Sequence, residues 1–259
     1  MEQNLSKKTR TESDLIGSRE VPESALYGVQ TLRGIENFRI SKFHLNEYPL
    51  FIQALAITKM GAAVANRELD LLTEEQTDAI LRACKEILEG KHHEQFPVDM
   101  IQGGAGTTTN MNINEVVANR ALELMGHQRG EYQYCSPNDH VNRSQSTNDA
   151  YPTAIHIGLY YTHLKLVKHF EVLIEAFRKK GSEFAHVIKM GRTQLEDAVP
   201  MTLGQTFNGF ASILEHEVKN LDFAAQDFLT VNMGATAIGT GITAEPEYAE
   251  KCIAALRKI

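Results

Sequence analysis

The sequence predicts an all-α protein, a bundle of long helices preceded by a smaller, mostly helical domain. Two stretches in the second half repeat apolar residues at steps of three and four, which is the spacing of a bundle helix. A chain of 259 residues with 42% hydrophobic content can also bury a sizeable core. We therefore expect an N-terminal domain over residues 1–142 and the first part of a central helical-bundle domain over residues 143–259.

The composition argues against several classes of function. The formal net charge of −7 disfavours a nucleic-acid partner, because phosphate contacts need a basic surface. No apolar run approaches the roughly 20 residues of a membrane span, and the polar N-terminus does not look like a secretory signal. The three cysteines form no CxxC pair and the ten histidines lack ligand spacing, so we expect reduced thiols in a cytoplasmic protein and no metal site.

The N-terminal domain is predicted to be helical after an irregular start. Its elements are an irregular stretch over 1–48, helices over 50–69, 73–88 and 112–126, and a polar connector over 127–147. Thr73 followed by Gln76 is a capping box, which marks the start of the second helix. The third helix stops at Gly126, because glycine is typical of the position just past a helix C-terminus.

Two long helices are predicted next, from about Asp149 and from Leu203, each with the apolar stripe of a bundle helix. A last helix over 245–259 has no glycine or other capping residue at its end. We therefore expect the chain to be the N-terminal part of a longer protein. An antiparallel pair of long helices also needs partner helices to cover its apolar surface.

Three clusters of small polar residues, each beside Gly or Pro, precede helical segments at 103–112, 144–153 and 191–200. Short polar side chains and free backbone N–H groups at a helix N-terminus can bind carboxylates. Each cluster alone is equally typical of ordinary capping or, for the third, of a connector. The three together favour an enzyme that acts on a small diacid. The glycine-rich run at 234–241 follows no predicted strand, so it is not interpreted as a dinucleotide site.

The chain resembles a known family through several long runs in the right order. These runs are 17–22, 27–33, 96–99, 103–115, 137–142, 144–153, 189–204 and 232–241. Together they resemble the aspartase/fumarase superfamily of carbon–heteroatom lyases, and within it the aspartate ammonia-lyase branch. Gln194 and Val199 favour that branch, because fumarases typically have His and Thr there. The alternatives are a class II fumarase or a non-catalytic helical assembly fragment.

The resemblance implies a reversible anti elimination of ammonia from L-aspartate to give fumarate. The reaction passes through an aci-carboxylate dianion, which needs preorganised hydrogen-bond donors. The residues implied to bind substrate are Thr107, Ser146, Thr147, Asn148, Thr193, Gln194 and Arg33. The first three would hold the substrate carboxylates, chiefly the one that becomes the dianion. Asn148, Thr193 and Gln194 would line the amino group and the remaining carboxylate, and Arg33 would be a further carboxylate ligand.

No residue of the chain is expected to act as the catalytic base. In the superfamily that base is a serine on a flexible Gly-Ser-Ser loop, which would lie C-terminal of residue 259. We therefore expect the chain to be inactive alone. The resemblance implies no cofactor and leaves open activation by a divalent metal, which occurs in some relatives.

Helix geometry predicts a site that is shared between subunits. Ser146 begins a helix of some thirty residues and Thr193 lies beyond its far end, so a rise of ~1.5 Å per residue separates them by roughly 45 Å. Thr107 and Ser146 can share a site within one chain, whereas Thr193 and Gln194 must come from another. The resemblance implies the same arrangement: a homotetramer in which three chains contribute to each site.

Overall fold

The computed structural model describes residues 8–259, and most of them are helical. The helices are α1 (Val29–Asn37), α2 (Pro49–Glu68), α3 (Glu74–Leu88), α4 (Thr107–Leu124), α5 (Thr147–Glu183), α6 (Leu203–Ala225) and α7 (Tyr248–Leu256). The strands are β1 (Thr9–Asp14), β2 (Gly17–Pro22), β3 (Ile188–Thr193) and β4 (Glu196–Thr202). Within the described residues the strands form two separate antiparallel hairpins, β1–β2 and β3–β4. The all-α prediction is confirmed.

The first of two compact units comprises the residues up to Gly158 together with Val231–Ile259. Its core lies among α2, α3 and α4, where Leu55, Ile80 and Ile113 are almost entirely buried. α2 is apolar over most of its circumference, as expected of a helix that is covered on several sides. Part of the surface of α2 is also covered by α7, which packs against it.

The second compact unit, Leu159–Thr230, contains most of α5, the β3–β4 hairpin and α6. α5 and α6 run antiparallel, because Phe177 contacts Phe210 (ring centroids 5.6 Å apart) while His163 contacts Asp222 (2.9 Å). Large apolar side chains remain exposed on both helices: Leu159, Leu164, Leu166, Val172, Leu173, Phe210, Ile213 and Phe223. One pair of helices thus covers only part of the predicted apolar stripes. The predicted domain boundary between residues 142 and 143 stays a prediction.

Most of the predicted helices are present, with one shifted start. Thr73 forms the predicted capping box, in which its hydroxyl accepts a hydrogen bond from the backbone N–H of Gln76 at 3.1 Å. α4, however, begins at Thr107 rather than at Asn112. The reason is Gly106, whose φ of 90° ends the preceding loop and allows helical geometry from the next residue onward.

Two regions differ from the prediction. The described part of the supposedly irregular N-terminal stretch contains the β1–β2 hairpin and α1. The cluster at 191–200, expected to precede a helix or to be a connector, lies in the β3–β4 hairpin between α5 and α6, where Thr193 pairs with Glu196. Both hairpins were missed for the same reason. Their strands have six or seven residues and are mostly exposed, so they carry no alternation of apolar and polar residues.

α1 begins at a buried carboxylate rather than at a capping residue of its own. Glu115 of α4 accepts hydrogen bonds from the backbone N–H groups of Gly28 (2.8 Å), Gln30 (2.8 Å) and Thr31 (3.0 Å). A negative charge at a helix N-terminus is favoured by the macrodipole and pairs the otherwise free N–H groups. Burial nevertheless raises the pKa of Glu115, and the backbone donors oppose that rise.

We predict that Glu115→Gln lowers the free energy of unfolding by about 1–3 kcal/mol, because the amide has one acceptor oxygen and leaves buried N–H groups unpaired. Glu36→Gln is the control, since Glu36 is about half exposed and its ion pair with Arg19 spans 3.7 Å. Chemical denaturation of the two variants measures the difference. Equal stability of both variants would show that Glu115 does not hold the start of α1.

Candidate functional site

The glycine-rich loop before α4 lies against the first turns of α5. A Cβ atom at Gly106 would lie 2.5 Å from the ring of Tyr151, so this close approach requires glycine. A cavity of about 430 Å³ opens here, lined by Met100, Gln102, Ala105, Gly106, Asn148, Tyr151 and Pro152. Residues of the first two clusters therefore line one cavity within the first unit, and of the predicted substrate ligands Asn148 is among them.

The predicted hydroxyl donors lie at the N-termini of α4 and α5. Thr107 is exposed and donates to the backbone oxygen of Gly104 at 2.6 Å. The hydroxyl of Ser146 accepts from the backbone N–H of Asn148 at 3.2 Å, and that of Thr147 accepts from the Asn110 side chain at 3.2 Å. Because both hydroxyls accept in these contacts, their protons can be donated to a carboxylate.

A buried lysine that the sequence analysis did not select lies behind these hydroxyls. The Nζ atom of Lys59 donates to the side-chain oxygens of Asn110 (2.8 Å), Asn142 (3.1 Å) and Gln145 (2.8 Å). Asn110 in turn donates to Thr147, so one amide joins the ammonium group to a predicted substrate ligand. Burial lowers the pKa of Lys59 to about 7. In the sequence, Lys59 is marked only by its position within a mostly apolar stretch.

This pKa predicts a pH dependence of stability. The ordinary pKa of lysine, 10.5, applies to the unfolded chain, and the folded value is about 7. Between these values the unfolded chain binds more protons, so the free energy of unfolding rises with pH. Relative to Lys59→Met, the native chain should gain up to about 1.4 kcal/mol per pH unit above pH 7.

Denaturation of the native chain and of Lys59→Met at several pH values between 6 and 10 tests this, because other titrating groups cancel in the difference. Lys85→Met is the control, because it removes a lysine that is exposed rather than buried. If the difference in free energy of unfolding between the native chain and Lys59→Met does not change with pH, the pKa of Lys59 is not depressed.

Thr193 and Gln194 belong to the second unit and are exposed at the turn of β3–β4. Gln194 (φ 50°) and Leu195 (φ 68°) form the two-residue turn, and both lie in the left-handed region. Such turns usually carry Asn-Gly, so two residues with Cβ atoms make this one strained. An ion pair of Arg192 with Asp197 (3.3 Å) joins the two strands beside the turn.

Arg33 is engaged by the protein itself. Its guanidinium donates two hydrogen bonds of 2.9 Å to the carboxylate of Asp14 and a third to the backbone oxygen of Gly17. The hydrogen bond from Arg33 also holds the pKa of Asp14 below its ordinary value. Arg33 thus anchors the β1–β2 hairpin to α1. Its predicted role as a substrate ligand would require this pair to open, and it stays a prediction.

The family of the chain follows from comparison with known proteins. A family model described as lyase matches residues 17–259, which is nearly the whole chain. The chain belongs to this lyase family. Aspartate ammonia-lyase of Pseudomonas canavaninivorans is 58% identical over 92% of the chain, and that of Escherichia coli K12 is 53% identical over 98%. These alignments cover 51% and 54% of the two relatives, so the chain spans about half the length of the curated relatives it matches.

Solved structures of lyases share the fold. A fumarate lyase/delta crystallin of Brucella melitensis superposes with a TM-score of 0.92 and 51% identity, over 97% of this chain and 55% of that one. A class II fumarase of Schistosoma mansoni superposes with a TM-score of 0.89 and 35% identity, over 97% of this chain and 53% of that one.

The side chains that most often bind metals do not cluster among the described residues. Between residues 8 and 259, no group of three or more His, Cys, Asp or Glu side chains is arranged to hold a metal ion. In the same part of the lyase chain, no helix is both long and apolar enough to cross a bilayer.

Proposed function

We propose that the chain supplies the N-terminal part of an aspartate ammonia-lyase, which eliminates ammonia from L-aspartate to give fumarate in a reversible reaction. The observation that carries the proposal is the set of hydroxyl and amide groups at the N-termini of α4 and α5, of which Asn148 lines the cavity between them. Curated aspartate ammonia-lyases that are 53–58% identical to the chain support it. The proposal requires no organic cofactor, and activation by a divalent metal is not part of it.

The proposed chemistry needs strong hydrogen-bond donors. Removal of a C3 proton beside a carboxylate generates a dianion, and donors held in place before the reaction stabilise it without reorganisation. Ser146 and Thr147 would donate to this group, aided by the positive end of the α5 dipole. Thr107 would join them once its hydroxyl proton turns away from the backbone oxygen of Gly104. When protonated, Lys59 adds a fixed positive charge behind Thr147, through Asn110. The base itself is expected on a serine loop of the C-terminal part.

The proposed enzyme is a homotetramer with shared sites. Exposed apolar side chains on both helices of the second unit support it, because helices of other subunits would cover them. Thr193 and Gln194, exposed at their hairpin turn, would then serve the site of another subunit. We further propose a cytoplasmic enzyme whose partners are its own copies and the small substrate, with neither nucleic acid nor membrane among them.

We predict that the full-length protein releases ammonia from L-aspartate, whereas the 259-residue chain alone does not, because it lacks the expected base. Assays of fumarate formation from aspartate and from malate test both statements and separate the proposal from the fumarase alternative. Turnover of malate with no turnover of aspartate would overturn the proposal. Ammonia release by the 259-residue chain alone would show that the base is already present.

A thermal titration of the same chain with succinate addresses the alternative of a non-catalytic assembly fragment. A ligand that binds only the folded state raises the melting temperature of the protein, and the rise grows with the logarithm of the ligand concentration. Stabilisation by succinate, with none by the monoacid butyrate, supports a dicarboxylate site in the chain. The absence of any shift, together with an inactive full-length protein, would favour the assembly fragment.

We predict that Gln194→His in the full-length protein leaves the fold intact, because histidine tolerates the left-handed region, and lowers kcat/KM for aspartate about tenfold. Leu195→His is the matched control in the same turn, since the side chain of Leu195 is fully exposed. Steady-state kinetics on aspartate, with the fold checked by circular dichroism, provide the measurement. Unchanged kinetics for a folded Gln194→His variant would show that this position does not contact substrate.

A further inference from the structure

Asp149, in the first turn of α5, is completely buried and bridges two distant segments. One carboxylate oxygen accepts a hydrogen bond from the backbone N–H of Ser146 at 2.9 Å. The other accepts from the backbone N–H groups of Gly234 (3.1 Å) and Thr236 (2.9 Å). A buried carboxylate with three N–H donors is well compensated, so this contact joins the start of α5 firmly to residues 232–241.

The segment 232–241, which Asp149 holds, contacts Asn148 in return. The side-chain Nδ2 atom of Asn148 donates to the backbone oxygen of Ala237 at 2.8 Å. The side chain of Asn232 donates to the backbone oxygen of Asn148 at 3.0 Å. The amide of Asn148 is therefore fixed through one of its N–H groups. Its Oδ1 atom accepts no hydrogen bond from residues 8–259, so it can accept one beside the cavity that this residue lines.

The segment 232–241 does not adopt this shape by local preference. Thr236 is β-branched yet has a φ of 58°, and its buried hydroxyl has no hydrogen-bond partner among the described residues. Gly234 has a φ of 92°, and a Cβ atom there would lie 2.5 Å from the side chain of Ala249. A strained conformation of this kind persists only where surrounding contacts enforce it. The carboxylate of Asp149 provides two of those contacts.

We propose that Asp149 is a positioning residue of the lyase site, which orients Asn148 toward the amino group of the substrate by holding segment 232–241. This inference rests on the proposed function, in which Asn148 lines the amino side. An amide oxygen accepts from an ammonium group and repels a carboxylate, so an oriented Oδ1 atom favours the amine end. In the proposed function the hydroxyl group of Thr147 serves a carboxylate, and it contacts Asn110 rather than segment 232–241.

The test is Asp149→Asn in the full-length protein. The amide keeps the shape of the side chain but can accept on one side only. Faster hydrogen exchange at Gly234 and Thr236 identifies the case in which segment 232–241 has lost its acceptor, and the expected kinetics apply to that case. Where Ser146 has lost it instead, Asn232→Ala carries the test. We expect kcat/KM for aspartate to fall at least about tenfold, while the inhibition constant of succinate, which has no amino group, changes less than about threefold. Asp70→Asn is the matched control, because Asp70 is exposed and asparagine tolerates its left-handed backbone.

Asn232→Ala is a second variant, which tests the proposal even if Asp149→Asn does not fold. Asn232 is exposed, and in the described structure its side chain donates to Asn148 alone, so its removal should leave the fold unchanged. In this variant kcat/KM for aspartate should fall by about threefold, again with little change in the inhibition constant of succinate. The positioning role would be overturned if kcat/KM for aspartate and the affinity for succinate fell equally. It would also be overturned if the kinetics were unchanged in every folded variant.

Hydrogen exchange in the 259-residue chain separates this proposal from the proposed function. If the native full-length protein does not act on aspartate, the proposed function fails. Exchange at Gly234 and Thr236 still tests the contact, since it should be faster in Asp149→Asn than in the native chain. Unchanged exchange at both amides would show that Asp149 does not hold the segment.

Discussion

The ammonium group of Lys59 lies in the core of the first unit, where an incompletely hydrogen-bonded charge would cost several kcal/mol. All three of its N–H groups are donated, to Asn110 on α4 and to Asn142 and Gln145 in the segment before α5. α2, α4 and that segment must therefore meet in an arrangement that satisfies this group. The same arrangement brings Thr147, and with it the start of α5, to the first turn of α4.

Buried carboxylates shape the irregular segments of the same unit. Asp99 accepts hydrogen bonds from the backbone N–H groups of Ile40 and Ser41 on one side and of Ile101 on the other. Glu115 does the same for the start of α1, and Asp149 for the segment after Thr230. Loops without regular hydrogen bonding need such partners, because a buried N–H group left unpaired is costly. Each of the three carboxylates accepts at least one of these hydrogen bonds from a segment far away in the sequence.

The long helices and the capping box at Thr73 could be predicted because periodicity and capping are local signals. The short hairpins and α1 could not, since their order depends on contacts such as that of Arg33 with Asp14. At the candidate site the sequence indicated that Thr107 and Thr147 lie at helix N-termini, but it did not indicate the hairpin turn at Gln194. It did not indicate Lys59 or Asp149, because a buried charge is recognised only from the partners that the fold brings to it.

The proposed lyase and the class II fumarase to which it is similar would carry out related eliminations with different leaving groups. Both eliminations create the same kind of dianion, so hydroxyl donors such as Ser146 and Thr147 can be common to both. The leaving group differs, an amine in one case and a hydroxyl in the other, and it must be distinguished by residues on the opposite side. In the proposed enzyme Asn148 and Gln194 would take this role, the first held by a buried carboxylate through segment 232–241 and the second by a strained turn. A fold shared with a class II fumarase at 35% identity is compatible with this division, since specificity would then depend on how a few side chains are held.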